Sequence, residues 1–184
     1  GLDRSYAMLV DADERAEVAS RVMLFTDALP NIGNTRPGSF LGLARSHADR
    51  GIGLTTFGVG LDLGAELTSE LSKVRGGNSY TLSTIPEIRQ VFDEDFAFMV
   101  TPVAYDLEVD VYPSEGLTID TAYGVPVDPA DAVRFGASTL FLSRDAGGMG
   151  VTFLAPEGAP LTGQVEMALS YELAQSQSRA AREL

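Results

Sequence analysis

The chain contains no cysteine, which excludes a disulfide framework, a thiolate metal site and a cysteine nucleophile. It has one histidine, His47, set on a predicted helix between Arg45 and Arg50, where it is expected to face solvent. A histidine-based triad would also need an activated serine and an orienting acid, and no nucleophile-elbow pattern occurs. Basic residues are scarce: 13 lysines and arginines stand against 26 acids, for a formal net charge of −13. That balance argues against nucleic acid and against an anionic membrane surface, since both are bound by releasing counterions to positive charge. No apolar run approaches the roughly 20 residues of a membrane span, so membrane insertion is not expected. The sequence shows no signal peptide and begins at Gly1, inside a predicted helix, so it reads as a piece of something longer.

What is present is a folded protein of ordinary composition, 45% hydrophobic and 21% charged over 184 residues, enough for one large domain or two small ones. Its organising stretch is Val22-Met23-Leu24-Phe25-Thr26-Asp27. A strand without polar alternation is one buried on both faces, inside a parallel sheet flanked by helices. Ligands of such sheets sit beyond the carboxyl ends of the strands, which is where Asp27 falls.

Around that strand the first hundred residues alternate helix and strand. A helix is expected over 2–19, with Leu2, Tyr6, Leu9 and Val10 on one face, then the strand at 21–26 and a loop over 28–38. A helix follows from Ser39 to Arg50, closed by Gly51, then a buried strand from Gly53 to Gly58. A third helix carries Leu63, Leu67, Leu71 and Val74 and stops at Gly76-Gly77; a third strand runs from Ser79 to Leu82. Thr84-Ile85-Pro86-Glu87 is a capping-box start. The helix it opens is expected to align Ile85, Ile88, Phe92, Phe96 and Met99 in one stripe. Strand alternating with helix at this spacing gives right-handed crossovers and a doubly wound, mostly parallel α/β sheet.

From Val103 the period becomes two: Val103, Tyr105, Leu107, Val109 and Val111 alternate with Ala104, Asp106, Glu108, Asp110 and Tyr112. The turn Pro113–Gly116 and the strand after it predict one hairpin, whose polar face carries Asp106, Glu108, Asp110 and Asp120. Edge protection and solubility are the commoner use of such acids, with calcium attraction the alternative. Asp145-Ala146-Gly147-Gly148 predicts a second hairpin between 139–143 and 151–154, and Val165 to Leu173 alternates again. This half reads as an antiparallel β-sandwich module. The expected division is 1–100 for the α/β domain, 101–174 for the β-sandwich module and 175–184 for a polar tail, loose or briefly helical.

The ordered set Arg21–Asp27, a Pro-Asn-Ile-Gly loop, a helix, Gly51–Gly60, Leu67-x3-Leu71, Gly76-Gly77-Asn78-Ser79-Tyr80 and Phe92–Phe96 resembles the second half of a von Willebrand factor type A domain. The change of period after it resembles bacterial proteins in which such a domain runs directly into a β-sandwich. The resemblance implies a divalent metal, usually magnesium, at the carboxyl edge of the sheet, and an adhesive, protein-binding role. Asp27 matches the aspartate that ends the family's fourth strand. The family's Asp-x-Ser-x-Ser motif does not occur here, its threonine would fall before Gly1, and Ala28 replaces the glycine that usually follows the aspartate. Magnesium takes about six oxygen ligands. Asp27 is thus one ligand of a site that this chain does not complete, and no metal is expected for the chain alone. Thr26 and Asn31 are its neighbours on the surface where a partner protein would bind. The strand at 22–25 needs neighbours on both sides, so the missing strands are expected to precede Gly1 or to belong to another polypeptide. The resemblance also favours an extracytoplasmic or cell-envelope location.

The expected function is therefore non-catalytic: a protein interaction module of von Willebrand A type, metal-assisted when complete. A structural assembly component without metal is the alternative. A Rossmann-type nucleotide-binding enzyme is a third reading, carried by Gly58-Val59-Gly60 and Gly64. Their spacing departs from the dinucleotide fingerprint, and no acid ends the following strand.

Overall fold

The computed structural model describes residues 1–12, 20–27, 39–60, 64–114, 116–123, 133–144, 148–158, 163–174 and 179–183. The first half runs α1 (Leu2–Ala12), β1 (Arg21–Thr26), α2 (Phe40–Ala48), β2 (Gly53–Val59), α3 (Gly64–Ser72) and β3 (Gly77–Leu82). The continuation of the first helix over 13–19 lies outside the described residues. Local chemistry sets the other boundaries. Ser39 caps α2, its hydroxyl accepting from the Gly42 amide at 3.0 Å. Gly76 turns the chain out of α3 with φ +71°, and a Cβ on Gly77 would overlap the carbonyl oxygen of Leu71.

The three strands form a parallel sheet in the order β1-β2-β3, with Val22 opposite Leu54 and Phe57 opposite Tyr80. One face packs Val22, Leu24 and Leu54 against Tyr6 of α1, Leu41, Ala44 and Ala48 of α2, and Leu67 and Leu71 of α3. The other face packs Met23, Phe57, Tyr80 and Leu82 against Val91, Phe92, Met99 and Val100. The interior strand is β2, buried from Gly53 through Gly58. Among the described residues β1 has a hydrogen-bonded neighbour on one side only, and Phe25, expected to be buried with the rest of the apolar run, is 53% exposed.

The predicted helix from Thr84 is three pieces: α4 (Ile85–Arg89), a π-helical turn (Gln90–Glu94) and α5 (Phe96–Val100). The capping box forms as expected. The π turn, closed by the Asp95 amide on the Gln90 carbonyl at 2.9 Å, inserts a residue and breaks the stripe. Phe92 and Met99 face the sheet, whereas Ile85 is 70% and Ile88 38% exposed. None of the described helices is long and apolar enough to cross a membrane.

The second half contains β4 (Pro102–Pro113), β5 (Thr118–Tyr123), β6 (Val133–Phe141), β7 (Gly150–Leu154), β8 (Val165–Leu173) and β9 (Arg179–Glu183). A four-stranded antiparallel sheet has the order β6-β4-β8-β9, and β5 pairs with β7 in a two-stranded one. The two share a core of Val109, Val111, Val133 and Phe135 from the first and Ile119, Ala122, Val151 and Phe153 from the second. Neither predicted hairpin forms: β4 and β5 lie in different sheets, as do β6 and β7. In each case the two strands pair with other partners, β4 with β6 and β5 with β7. Residues 179–183 of the expected polar tail form β9, antiparallel to β8. The alternation in β4 holds from Tyr105 to Val111 but fails at Val103, which is 40% exposed while Ala104 is buried. The register against β6 slips between Pro102 and Ala104. Against β8, β4 carries an extra residue at Asp106–Leu107, with Asp106 at φ +49°.

Candidate functional site

The three parallel strands end together, because Thr26 lies opposite Gly58 and Val59 opposite Leu82. Asp27 leaves β1 at that edge and is exposed. Thr26 precedes it, half-buried; Asn31 lies outside the described residues. Beside them β2 ends in the turn at Gly60 (φ +66°), whose amide donates to the Leu82 carbonyl at 2.9 Å. The residues 61–63 between this turn and α3 are outside the described residues. After β3, Glu87 Oε2 accepts from the amides of Ser83 (2.7 Å) and Thr84 (3.0 Å), so this carboxylate is committed to capping α4.

The described part of the edge therefore offers one uncommitted carboxylate. Among the described residues no group of three His, Asp or Glu side chains could hold a metal ion. A magnesium ion wants about six oxygens in near-octahedral array. The described donors do not fit it.

What the sequence pattern missed is the aromatic surface next to Asp27. Phe25 stacks on Phe57 with centroids 4.7 Å apart and lies 5.9 Å from Phe92, which in turn contacts Phe96. Phe57 is fully buried, but Phe25 at the sheet edge keeps half its surface in solvent. A phenylalanine held by stacking yet half-exposed is a preformed apolar contact.

The opposite end of the sheet is closed by arginines. Arg21 Nη1 donates to Thr55 Oγ1 (2.8 Å), the Gly76 carbonyl (2.9 Å) and Asn78 Oδ1 (3.3 Å), and its guanidinium lies 5.0 Å from the Phe141 ring of β6. Burial lowers the pKa of Arg21. Asn78 Nδ2 continues the network to the Met99 carbonyl at 2.8 Å. Arg75 lies 4.0 Å above Tyr105, donates to Asp106 Oδ2 at 2.7 Å and forms a two-pronged pair with Glu172. The bond to Glu172 is the main reason its pKa is raised. Arg144 lies over Phe98 and within 3.5 Å of Glu94. Thr139 Oγ1 accepts from the Gly76 amide at 2.7 Å, and the Ser138 hydroxyl donates to the Ser72 carbonyl. Two of the acids placed on a predicted hairpin face thus have other work: Asp106 holds Arg75, and Asp110 pairs with Arg134 at 2.6 Å.

His47 also departs from expectation. Its ring stacks on Tyr6 at 4.1 Å and 4°, joining α1 to α2, and its Nδ1 is buried without a hydrogen-bond partner. The stack makes it a packing contact between the two helices.

No protein-family model matches the chain, and no curated protein matches it in sequence. Solved structures do. Over its whole length the chain is similar to the human COPII-coat protein Sec24c, with a TM-score of 0.52 and 18% identity. It is likewise similar to a von Willebrand factor type A protein from Catenulispora acidiphila, with a TM-score of 0.50 and 14% identity. It spans 28% of the first of those chains and 44% of the second. At such identities the likeness is one of fold. The chain is a mixed α/β protein with a three-stranded parallel sheet and antiparallel sheets, and its fold is similar to that of these von Willebrand A-like structures.

Proposed function

We propose that the chain is a non-catalytic interaction module of von Willebrand A type that binds another protein at the carboxyl edge of its parallel sheet. The observation that carries the reading is the pairing of an exposed Asp27 with a half-exposed, stacked Phe25 on a strand bonded, among the described residues, along one side only. In this reading further strands stand beside β1 in the complete domain, as in a doubly wound sheet, and the β half is a sandwich that acts as a mount. A divalent cation at Asp27 would draw its remaining ligands from outside the described residues. The commitment of Glu87, the other carboxylate described there, to capping α4 supports the alternative, an assembly component that uses the same edge without metal.

The test is retention of partner proteins by the immobilised native polypeptide, compared between magnesium and EDTA and between the parent, Asp27→Ala and Phe25→Ser. Loss on chelation and in Asp27→Ala supports the metal-assisted reading. Loss in Phe25→Ser alone supports the metal-free one. Retention indifferent to all three would place the interaction elsewhere and refute the proposal.

A further inference from the structure

Strand β8 lies inside its sheet, hydrogen-bonded to β4 on one side and β9 on the other, yet none of its residues is buried. Val165 is 36% and Met167 38% exposed, and Leu169 and Tyr171 are half-buried. Pairing sets Met167 opposite Val111 and Leu169 opposite Val109. Residues directly opposite in a ladder share a face. That face is the one β5 and β7 cover over β4 and β6. The same apolar surface is therefore roofed over half the sheet and, among the described residues, bare over β8. An interior strand with apolar alternation and no roof is a docking surface in want of an occupant.

The geometry says what fits. Leu117, in the turn that leads from β4 into β5, lies against Gly163 just before β8, because a Cβ on Gly163 would run into its side chain. So the chain enters β5 on the β8 side of the roof. Among the described residues β5 pairs only with β7, leaving its other edge free. A strand added to that edge would lie about 4.8 Å along, above β8. A second copy of the chain cannot supply it through its own β5, because the space below that strand is filled by the copy's own β4 and β6. A thin, extended segment can. Its inward residues must be apolar to meet Val165, Met167 and Leu169. Its outward residues flank the exposed Asp120 of β5 on a chain of net charge −13, which favours lysine or arginine.

We propose that the β8 face and the free edge of β5 together bind an extended β-strand of a partner polypeptide, apolar on alternate residues and basic between them, by strand addition. This surface is separate from the Asp27 edge and does not depend on the reading given to it.

The probe is a blocked synthetic peptide alternating valine and lysine over nine residues, the length of β8. Two controls replace its lysines by glutamate or interrupt it with proline. The valine–lysine peptide should bind saturably, and both controls at least about tenfold more weakly. Met167→Lys, a change at an exposed position, should weaken binding by a similar factor. Bound peptide should also slow oxidation of Met167 by dilute peroxide, read by mass spectrometry. Equal binding of all three peptides, or binding unchanged in Met167→Lys, would overturn the proposal. So would a Met167 that in the free protein oxidises no faster than the buried Met99, because the face would then be covered by the chain itself or by a second copy.

Discussion

Replacing Arg21 with methionine should cost about 2 kcal/mol, and replacing it with alanine about 4. The difference follows from how the acceptors around it are bonded. In either variant Thr55 Oγ1 still donates to Asn78 Oδ1 at 2.5 Å, and the Gly76 carbonyl still accepts from the Leu54 amide at 3.1 Å. No acceptor is orphaned, so the larger penalty for a bare buried polar group does not arise. What is lost is the charge-assisted bonding of one nitrogen shared among three acceptors, about 3 kcal/mol, and a cation–π contact of about 0.5–1 kcal/mol. What is recovered is part of the cost of holding a partly paired polar group away from water, about 1–2 kcal/mol; the same burial lowers the pKa of Arg21. Methionine refills the volume of the stem. Alanine leaves a hole between β1 and Phe141, worth roughly 2 kcal/mol more.

Urea unfolding at neutral pH measures both, and thermal midpoints should fall by roughly 4–8 °C for methionine in a chain of this size. A methionine variant as stable as the parent would mean that the buried cation is a net burden. A methionine variant no better than alanine, or worse by more than about 4 kcal/mol, would mean that the acceptors do depend on Arg21 and that the shared network is misread.

Two further effects should be measurable. The Tyr6 hydroxyl is buried without a partner, so Tyr6→Phe should leave stability at neutral pH unchanged or raise it by up to about 1 kcal/mol. Burial raises the Tyr6 pKa, so the unfolded chain ionises first; the parent's stability is complete below about pH 10 and declines above it. Part of that alkaline decline should vanish in Tyr6→Phe, the rest belonging to Tyr80 and Tyr105, which burial also raises. Identical urea midpoints for parent and variant across that range would show the hydroxyl to be hydrated. Thr84→Ala breaks the capping box at its long arm, Glu87 amide to Thr84 Oγ1 at 3.4 Å, and should cost about 0.5 kcal/mol by urea unfolding. A loss above about 2 kcal/mol would mean that α4 is held by its cap and not by the packing of the π turn and α5.

The elements of the α/β half are legible in the sequence because their signals are local. The apolar run of β1, Ser39, the glycines around Gly76 and the Thr84–Glu87 box each act within a few residues of the boundary they set. Strand partners are not local. Asp145–Gly148 has good turn residues, but whether the strands around it pair depends on where β4 and β5 already lie, and they claim β6 and β7 separately. The apolar run of β1 is limited in the same way: it reports that a strand is to be covered, and only the family resemblance points to a neighbour outside this chain. Asp27 is legible by its position after a strand. Phe25 and Arg21 are not. The unbroken apolar run would bury the first, and nothing in a lone arginine at the start of a strand announces partners on β2, on β3, in the turn between α3 and β3 and in a second sheet.

The position of these arginines bears on where binding can occur. Arg21 begins β1, Ser72 ends α3, and Val74 and Gly76 lie between α3 and β3; all lie at the amino-terminal end of the parallel strands. Arg21, the Gly76 amide and the carbonyls of Ser72 and Val74 all meet β6, while Arg75 reaches Tyr105, Asp106 and Glu172. The β half is therefore anchored to the end of the sheet away from Asp27. Ligands of parallel sheets gather at the carboxyl end, and an anchor at the amino end keeps the β half away from that edge. If instead the β half had bound across the carboxyl edge, Phe25 would be covered and the two surfaces proposed for binding would merge. Their separation by the length of the sheet is what allows Phe25→Ser and Met167→Lys to be read as independent perturbations: each should leave the other's binding intact, and a loss of both from either change would show the two halves to be coupled through the arginine seam.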